Sequence, residues 1–351
     1  MPDESNLLQL TANRVFADHV SPRVLAAAEA GTWPAAAWAE IEAAGLTRAL
    51  LPEAAGGYGV EPAEALSILA VAGAHAVPLP LAETMLAGWL LAGAGLDMPD
   101  GPLSVAPVRA TDSLALTARA GGGWHLSGTV RRVPWGRNVA ALAVVAMHRA
   151  APMVALVPAG AWTLEPAHNL ALEPRDTLHI AADLPAEAVA PAGVEAAHLR
   201  AMGAAMRSQQ MAGALGKLVE SCTQYALDRV QFGRPIGKFQ AVQHNLAVLA
   251  GQAAAATAAA DGAAEALAPV RLLPIAAAKQ RTGEAASQGA AIAHQVHGAI
   301  GFTYEHSLHY LTKRLWSWRD EFGNEAEWAA LLGRHMAAAG PDRLWFEITA
   351  A

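Results

Sequence analysis

The 351-residue chain has very little cysteine and little charge, and each shortage excludes a class of protein. Cys222 is the only cysteine in the sequence, so no disulfide can form within the chain, and a reducing cytoplasm is the expected location. Charged residues make up 16% of the sequence and the net charge is -7, which argues against a nucleic-acid partner. A hydrophobic content of 54% excludes a disordered chain and favours large buried cores.

Long uninterrupted apolar runs are also missing. The most apolar stretch, residues 65–95, is interrupted by four residues: His75, Pro78, Pro80 and Glu83. The runs between them are shorter than the roughly 20 apolar residues that cross a bilayer. Because the first residues, MPDESNLLQL, are acidic, we also expect no signal peptide. The sequence therefore predicts no membrane partner.

The pattern of the sequence changes twice along the chain. Residues 1–100 show helical spacing of apolar residues, with Gly45 placed to end a helix. Residues 101–192 contain short strand-like runs such as ALAVVAM, and the glycines at 121–123 predict a β-hairpin. Residues 193–351 return to helix, with one apolar face formed by Met211, Leu215, Leu218, Cys222 and Ala226. We predict a mainly α protein: an N-terminal helical domain, a middle β domain and a C-terminal four-helix bundle.

The stretch RVQFGRPIGKFQ, residues 229–240, interrupts the helical pattern of the last block. Arg229 and Phe232 fall at the end of one long helix, and Gly233 and Pro235 break the chain before the next. A guanidinium at the end of a bundle can bind a phosphate or pyrophosphate, and a phenyl ring can pack on a flat heterocycle. An ordinary helix connection, in which the arginine caps carbonyls, is the alternative, and the residues alone leave both open.

Two C-terminal segments, YALDRVQFGRPIGKFQAVQH and QVHGAIGFTYEHSLHYLTKR, resemble segments of the acyl-CoA dehydrogenase family. LPEAAGGYG resembles a loop of that family, and the order of the three blocks is similar over nearly the whole chain. The resemblance implies a flavoprotein of lipid metabolism that binds FAD between subunits of a dimer or dimer of dimers. It also implies an acyl-CoA substrate and an electron-transfer flavoprotein as the electron acceptor.

The resemblance also assigns residues to FAD. Those expected at the pyrophosphate and adenosine are Arg229, Gln231 and Phe232, followed by Phe239 and Gln240. Those expected from a partner subunit at the same end are Gln295, Val296, Gly298 and Ala299. The middle domain departs from the family, because SVAPVRATD replaces its usual flavin-facing motif and Pro134 stands where a hydroxyl or N–H would be expected.

The catalytic base is the second departure. Dehydrogenation of a thioester needs a base that removes the proton α to the carbonyl while a hydride leaves the β carbon. The Glu-Gly pair that supplies the base in most of the family aligns with Phe322 and Gly323, and an alternative position aligns with Gly203. Glu321, one residue from the aligned position, is the predicted base, and a solvated turn is the alternative interpretation.

The segment GFTYEHSLHYLTKR resembles a subset of the family that acts on bulky substrates, such as steroid side chains, and is often built from two different subunits. The predicted function is FAD-dependent α,β-dehydrogenation of an acyl-CoA thioester. The alternative is a catalytically silent partner subunit that lacks the base, and a nonenzymatic scaffold is a further one. A metal site is the hypothesis from another class, on two His pairs: His294 with His297 and His306 with His309. Because di-iron bundles also need several glutamates, no metal is predicted.

Overall fold

The computed structural model of the protein describes residues 5–349. The chain divides into two compact units. The first comprises the chain up to Ile68 and residues 78–203, and the second comprises residues 69–77 and the chain from Ala204 onward. Among the residues described, no helix is long and apolar enough to cross a bilayer.

The first unit begins with helices whose ends are set by local sequence signals. Pro22 occupies the first position of one helix, where Ser21 Oγ accepts a hydrogen bond from Val24 N at 3.4 Å. Gly45 has a φ of 69°, the left-handed conformation that ends the next helix as predicted. The helices are α1 (Ser5–His19), α2 (Pro22–Glu29), α3 (Ala35–Ala43), α4 (Pro62–Ala74), which continues into the second unit, and α5 (Leu81–Gly93).

A mainly antiparallel sheet completes the first unit. Its strands are β1 (Leu103–Ala106), β2 (Ser113–Ala118), β3 (Trp124–Pro134), β4 (Ala141–His148), β5 (Ala151–Pro158), β6 (Trp162–Glu165), β7 (Arg175–Leu184) and β8 (Val189–Pro191). Their order is β6-β7-β3-β2-β4-β5-β8, and β1 pairs with β4 in parallel. Strands β2 and β3 pair antiparallel with Ala118 opposite Trp124, so the predicted hairpin is confirmed.

The sheet buries an apolar cluster on one face. Members with 0% exposure include Leu126, Val130, Leu142, Val144 and Leu178. The pairing of β3 with β7 shifts register between Val130 and Val133, and Arg132 within this bulge has a φ of 56°. The bulge changes the direction of the chain immediately before Pro134.

The second unit contains the long helices of the bundle. They are α6 (Ala196–Asp228), which begins in the first unit, α7 (Gln240–Glu265), α8 (Leu272–His297), α9 (Leu308–Trp318), α10 (Glu325–Ala339) and α11 (Leu344–Thr349). The predicted apolar face of α6, called the α6 stripe below, is confirmed. Each of its residues is at most 1% exposed: Met211, Leu215, Leu218, Cys222 and Ala226. The order helix, strand, helix confirms the predicted fold class. The division at residues 100/101 and 192/193 into three domains stays a prediction.

Helix α6 is packed closely enough to require small residues. A Cβ built on Gly213 would lie 1.8 Å from the carbonyl oxygen of Ala70, and one on Gly289 would lie 2.5 Å from a Leu215 methyl carbon. The same helix carries four consecutive buried polar residues, which its predicted pattern does not anticipate: Arg207, Ser208, Gln209 and Gln210. A polar network therefore lies inside the bundle.

Candidate functional site

A two-residue hairpin follows the end of α6. Strands β9 (Val230–Gln231) and β10 (Arg234–Pro235) pair antiparallel, and Phe232 and Gly233 form the turn with φ values of 52° and 78°. Two positive φ values are typical of the hairpin turn that favours glycine, asparagine or aspartate. Phe232 instead keeps a large aromatic ring there, and it is 92% exposed. A bulky side chain in a sparsely populated conformation and in solvent indicates a binding role.

The side chains of the hairpin form an exposed basic and aromatic surface. The Phe232 and Phe239 rings meet edge to face at 6.1 Å, and the Arg234 guanidinium lies 4.3 Å from the Phe239 ring centroid. Arg229, Gln231 and Gln240 are exposed beside them in the chain. The Arg229 side chain makes no hydrogen bond or ion pair within residues 5–349.

The second predicted segment lies beside the hairpin in the same chain. Gln295, Gly298 and Ala299 are exposed, whereas Val296 is buried. Gly298 ends α8 with a φ of 61° and has open space where a Cβ would stand, so backbone conformation favours glycine there. The Tyr225 ring in the last turn of α6 stacks on His297 at 4.4 Å. The ends of α6 and α8 therefore lie together within one chain, and delivery of this segment to the FAD of another subunit stays a prediction.

Glu321 lies in a turn between α9 and α10 and is held by an arginine. Arg207 Nε donates to Glu321 Oε2 at 2.8 Å, with side-chain exposures of 2% and 12%. Arg207 also donates to Gln210 Oε1 at 2.5 Å, and its guanidinium lies 5.5 Å from the Phe322 ring centroid. The carboxylate predicted as a base therefore takes part in a buried ion pair.

Lys279 stabilises the same turn from inside the bundle. Its Nζ donates to the carbonyl oxygens of Arg319 at 2.6 Å and Gly323 at 2.9 Å, and its side chain is 0% exposed. Burial lowers the pKa of Lys279 from 10.5 to about 7, against the opposing effects of nearby carboxylates, Glu325 first among them. Phe322 is buried in the turn with a φ of 57°. It thus fills the position that aligns with the family base.

Comparison with known proteins shows which family the chain belongs to. Residues 2–97 match the model "Acyl-CoA dehydrogenase, N-terminal domain", and residues 194–320 match "Acyl-CoA dehydrogenase, C-terminal domain". The chain is 30% identical over 321 residues to acyl-CoA dehydrogenase IpdE2 of Mycolicibacterium smegmatis, covering 90% of this chain and 93% of that protein. This chain belongs to the acyl-CoA dehydrogenase family. Members of the family are FAD-binding oxidoreductases of lipid metabolism.

Solved structures agree with this membership. A variant of the Tcur3481-Tcur3483 steroid ACAD has a TM-score of 0.83 and 26% identity, with 96% of this chain and 98% of that chain aligned. The ChsE4-ChsE5 complex from Mycobacterium tuberculosis has a TM-score of 0.84 and 24% identity, with 97% and 99% aligned. The resemblance to the acyl-CoA dehydrogenases, and to their steroid-type subset, is confirmed.

In this member of the family the residues at the end of the bundle fit the nucleotide half of FAD. The exposed Arg229 guanidinium suits a diphosphate, and the exposed Phe232 ring suits a flat base. The end of β3 fits the isoalloxazine ring less well. Pro134 is buried there, opposite Arg175 on β7, and has no N–H to donate. The described residues thus support binding of the nucleotide more than recognition of the ring.

The histidines weighed as metal ligands are used for packing and hydrogen bonding. His294 Nε2 lies 3.1 Å from Thr312 Oγ1, and His309 Nδ1 donates to the carbonyl oxygen of His306 at 2.8 Å. In the part of the chain that the structure describes, no group of three or more His, Cys, Asp or Glu side chains is placed to hold a metal ion.

Three residues of the site were not singled out by sequence reasoning. Arg234 lies in the quoted motif, and its cation–π contact with Phe239 was a recognisable possibility. Arg207 had a signal too, because RSQQ places four polar residues in succession within an apolar helix. Lys279 had none, since a single lysine in a helix ordinarily faces solvent.

Proposed function

We propose that this chain is one subunit of a heteromeric, FAD-dependent acyl-CoA dehydrogenase, in which a different subunit supplies the catalytic base. The reaction is α,β-dehydrogenation of an acyl-CoA thioester. The observation that carries the proposal is that the turn at 319–323 has no free carboxylate at the position of the base. Its carboxylate, Glu321, is paired with Arg207, and Phe322 occupies the aligned position of the base.

The cofactor role rests on the exposed end of the bundle. Arg229 would hold the pyrophosphate through its guanidinium, and Phe232 and Phe239 would pack on the adenine. The amides of Gln231, Gln240 and Gln295 would supply hydrogen bonds, and the backbone of Val296–Ala299 would approach closely because residue 298 is glycine. When bound, FAD accepts the hydride that leaves the β carbon of the substrate.

The protein must separately remove the α proton. A carboxylate that takes this proton inside the turn would give up the charge that pairs with Arg207, whose side chain is 2% exposed. Leaving such a buried cation unpaired costs about 3–5 kcal/mol. A base from a partner subunit avoids that cost, which favours the partner-subunit proposal over an autonomous dehydrogenase.

Relatives provide the second argument for a heteromer. The solved structure at 24% identity is a complex of two named chains, ChsE4 and ChsE5. We extend that arrangement to this chain as a proposal: a dimer or dimer of dimers with a related dehydrogenase chain, whose electrons pass to an electron-transfer flavoprotein. A substrate with a bulky, steroid-type acyl group follows from the same relatives.

Visible absorption of the purified protein tests the proposal. We expect no bleaching by acyl-CoA in anaerobic solution when the chain is purified alone, and bleaching of flavin when it is co-expressed with a related dehydrogenase chain. Within that complex, Glu321→Gln should still bleach, as should the control Glu220→Gln, at an exposed carboxylate on α6.

Two outcomes contradict the proposal in different ways. Bleaching of the chain purified alone, lost in Glu321→Gln with an unchanged melting temperature, would make Glu321 the base and the chain an autonomous enzyme. Absence of flavin from every preparation, alone or in complex, would reject the cofactor role itself.

A further inference from the structure

Tyr225 contacts both segments that the proposed function assigns to FAD. Its carbonyl oxygen accepts the hydrogen bond from Arg229 N at 2.9 Å, the last backbone bond of α6 before the hairpin. Its hydroxyl donates to the carbonyl oxygen of His297 at 3.3 Å, at the last residue of α8. The rings of the two residues are stacked, with centroids 4.4 Å apart and planes inclined by 25°. One side chain thus joins the ends of α6 and α8.

His297 is a rigid partner for this contact. It is 3% exposed, and its Nδ1 donates to the carbonyl oxygen of Ala293 at 2.8 Å, which fixes the orientation of the ring. Cys222 Sγ lies 3.9 Å from the same nitrogen, and the His306 ring packs against it at 4.6 Å. Burial lowers the pKa of His297, so the ring is neutral at neutral pH and stacks without a charge.

We infer that Tyr225 and His297 are positioning residues that hold the Arg229–Phe232 hairpin at a fixed spacing from the Gln295–Ala299 segment, and that this spacing sets the affinity for the nucleotide part of FAD. The inference rests on the proposed function. Its physical basis is preorganisation. If the site is assembled in only a fraction of the molecules, the apparent dissociation constant equals the intrinsic one divided by that fraction. Neither residue needs to touch FAD.

The test measures the dissociation constant for FAD by fluorescence titration of flavin-free complex, with the melting temperature recorded for each variant. Tyr225→Phe keeps the ring stack and should bind FAD within about threefold of the unmodified protein, since one neutral hydrogen bond is lost. Tyr225→Leu and His297→Gln remove the stack, which is worth about tenfold in an equilibrium constant, so both should bind about tenfold more weakly. His244→Gln, at an exposed histidine of α7, is the control and should bind normally.

Normal FAD binding by folded Tyr225→Leu and His297→Gln would overturn the inference, because the stack would then serve helix packing alone. Failure of the unmodified complex to bind FAD would instead reject the proposed function. If neither Tyr225→Leu nor His297→Gln folds, hydrogen exchange of the unmodified complex tests the inference instead. FAD should then protect the amides of residues 229–236 and 295–301 together, and protection of one segment without the other would overturn the inference.

Discussion

Replacing Lys279 by methionine tests whether the uncharged amine of Lys279 stabilises the turn at 319–323. The Nζ atom has two carbonyl acceptors, those of Arg319 and Gly323, and no exposure to solvent. A neutral amine has two N–H bonds and matches two acceptors, whereas a charged ammonium has a third N–H to satisfy. Burial correspondingly lowers the pKa of Lys279 to about 7.

This lowered pKa gives the stability of the protein a defined pH dependence. The unfolded chain keeps the proton on Lys279 up to its ordinary pKa of 10.5, whereas the folded protein releases it near pH 7. The unfolded state therefore binds more protons between these values, and the free energy of unfolding rises with pH across that window by up to about 1.4 kcal/mol per pH unit. From about pH 7 to about pH 9 the gain is roughly 2 kcal/mol.

Urea unfolding at about pH 7 and about pH 9 measures this gain. Lys279→Met has no such ionisation, so the rise in its free energy of unfolding should be smaller by roughly 2 kcal/mol. It also leaves two buried carbonyls without a donor, at about 1–3 kcal/mol each, so its deficit should be largest at the higher pH. Lys217→Met, at an exposed lysine of α6, is the control and should follow the unmodified protein. Parallel pH profiles for the unmodified protein and Lys279→Met would refute the reasoning.

Three further predictions concern the bundle. Gly213→Ala should lower the free energy of unfolding by about 3 kcal/mol, because its Cβ would meet a carbonyl oxygen at 1.8 Å. Gly216→Ala, one turn along the helix with open space, should raise it by up to about 1 kcal/mol. The Cys222 thiol, whose pKa burial raises to about 12, should resist alkylation at neutral pH until the protein unfolds. Phe232→Ala should weaken FAD binding while leaving the melting temperature unchanged, because the ring is 92% exposed.

A specific result would contradict each of these three predictions. Equal stability of the two alanine variants would mean that α6 can move away from its neighbour at low cost. Rapid alkylation of the folded protein would mean that Cys222 is reached by solvent. A lower melting temperature for Phe232→Ala would mean that its ring packs on the fold.

Features with local causes were predictable from the sequence. Gly233 and Pro235 break the chain after α6 as predicted, although the hairpin itself was not predicted, and Gly45 ends α3 through its own backbone conformation. The α6 stripe followed from helical periodicity alone. The resemblance to the family followed from the motifs and their order, whereas the assignment of residues 229–240 to FAD stays a prediction.

Features that depend on distant partners were not predictable. Arg207 meets Glu321 across 114 positions, and Lys279 meets Gly323 across 44, so no local spacing signals either contact. The apolar face of α9 is hard to predict for a related reason. The helix buries Thr312 and Arg314 among its apolar residues, which blurs the apolar period that sequence reasoning depends on.

The buried turn at Phe322 also limits how this chain could change in evolution. A glutamate substituted at position 322 would enter a pocket that already contains Glu321 and the guanidinium of Arg207. Two neighbouring carboxylates would then compete for one cation, and like charges at short range raise the energy of both. Under the proposed function, a single change at position 322 would therefore not make this chain self-sufficient, and dependence on a second gene product would be difficult to reverse.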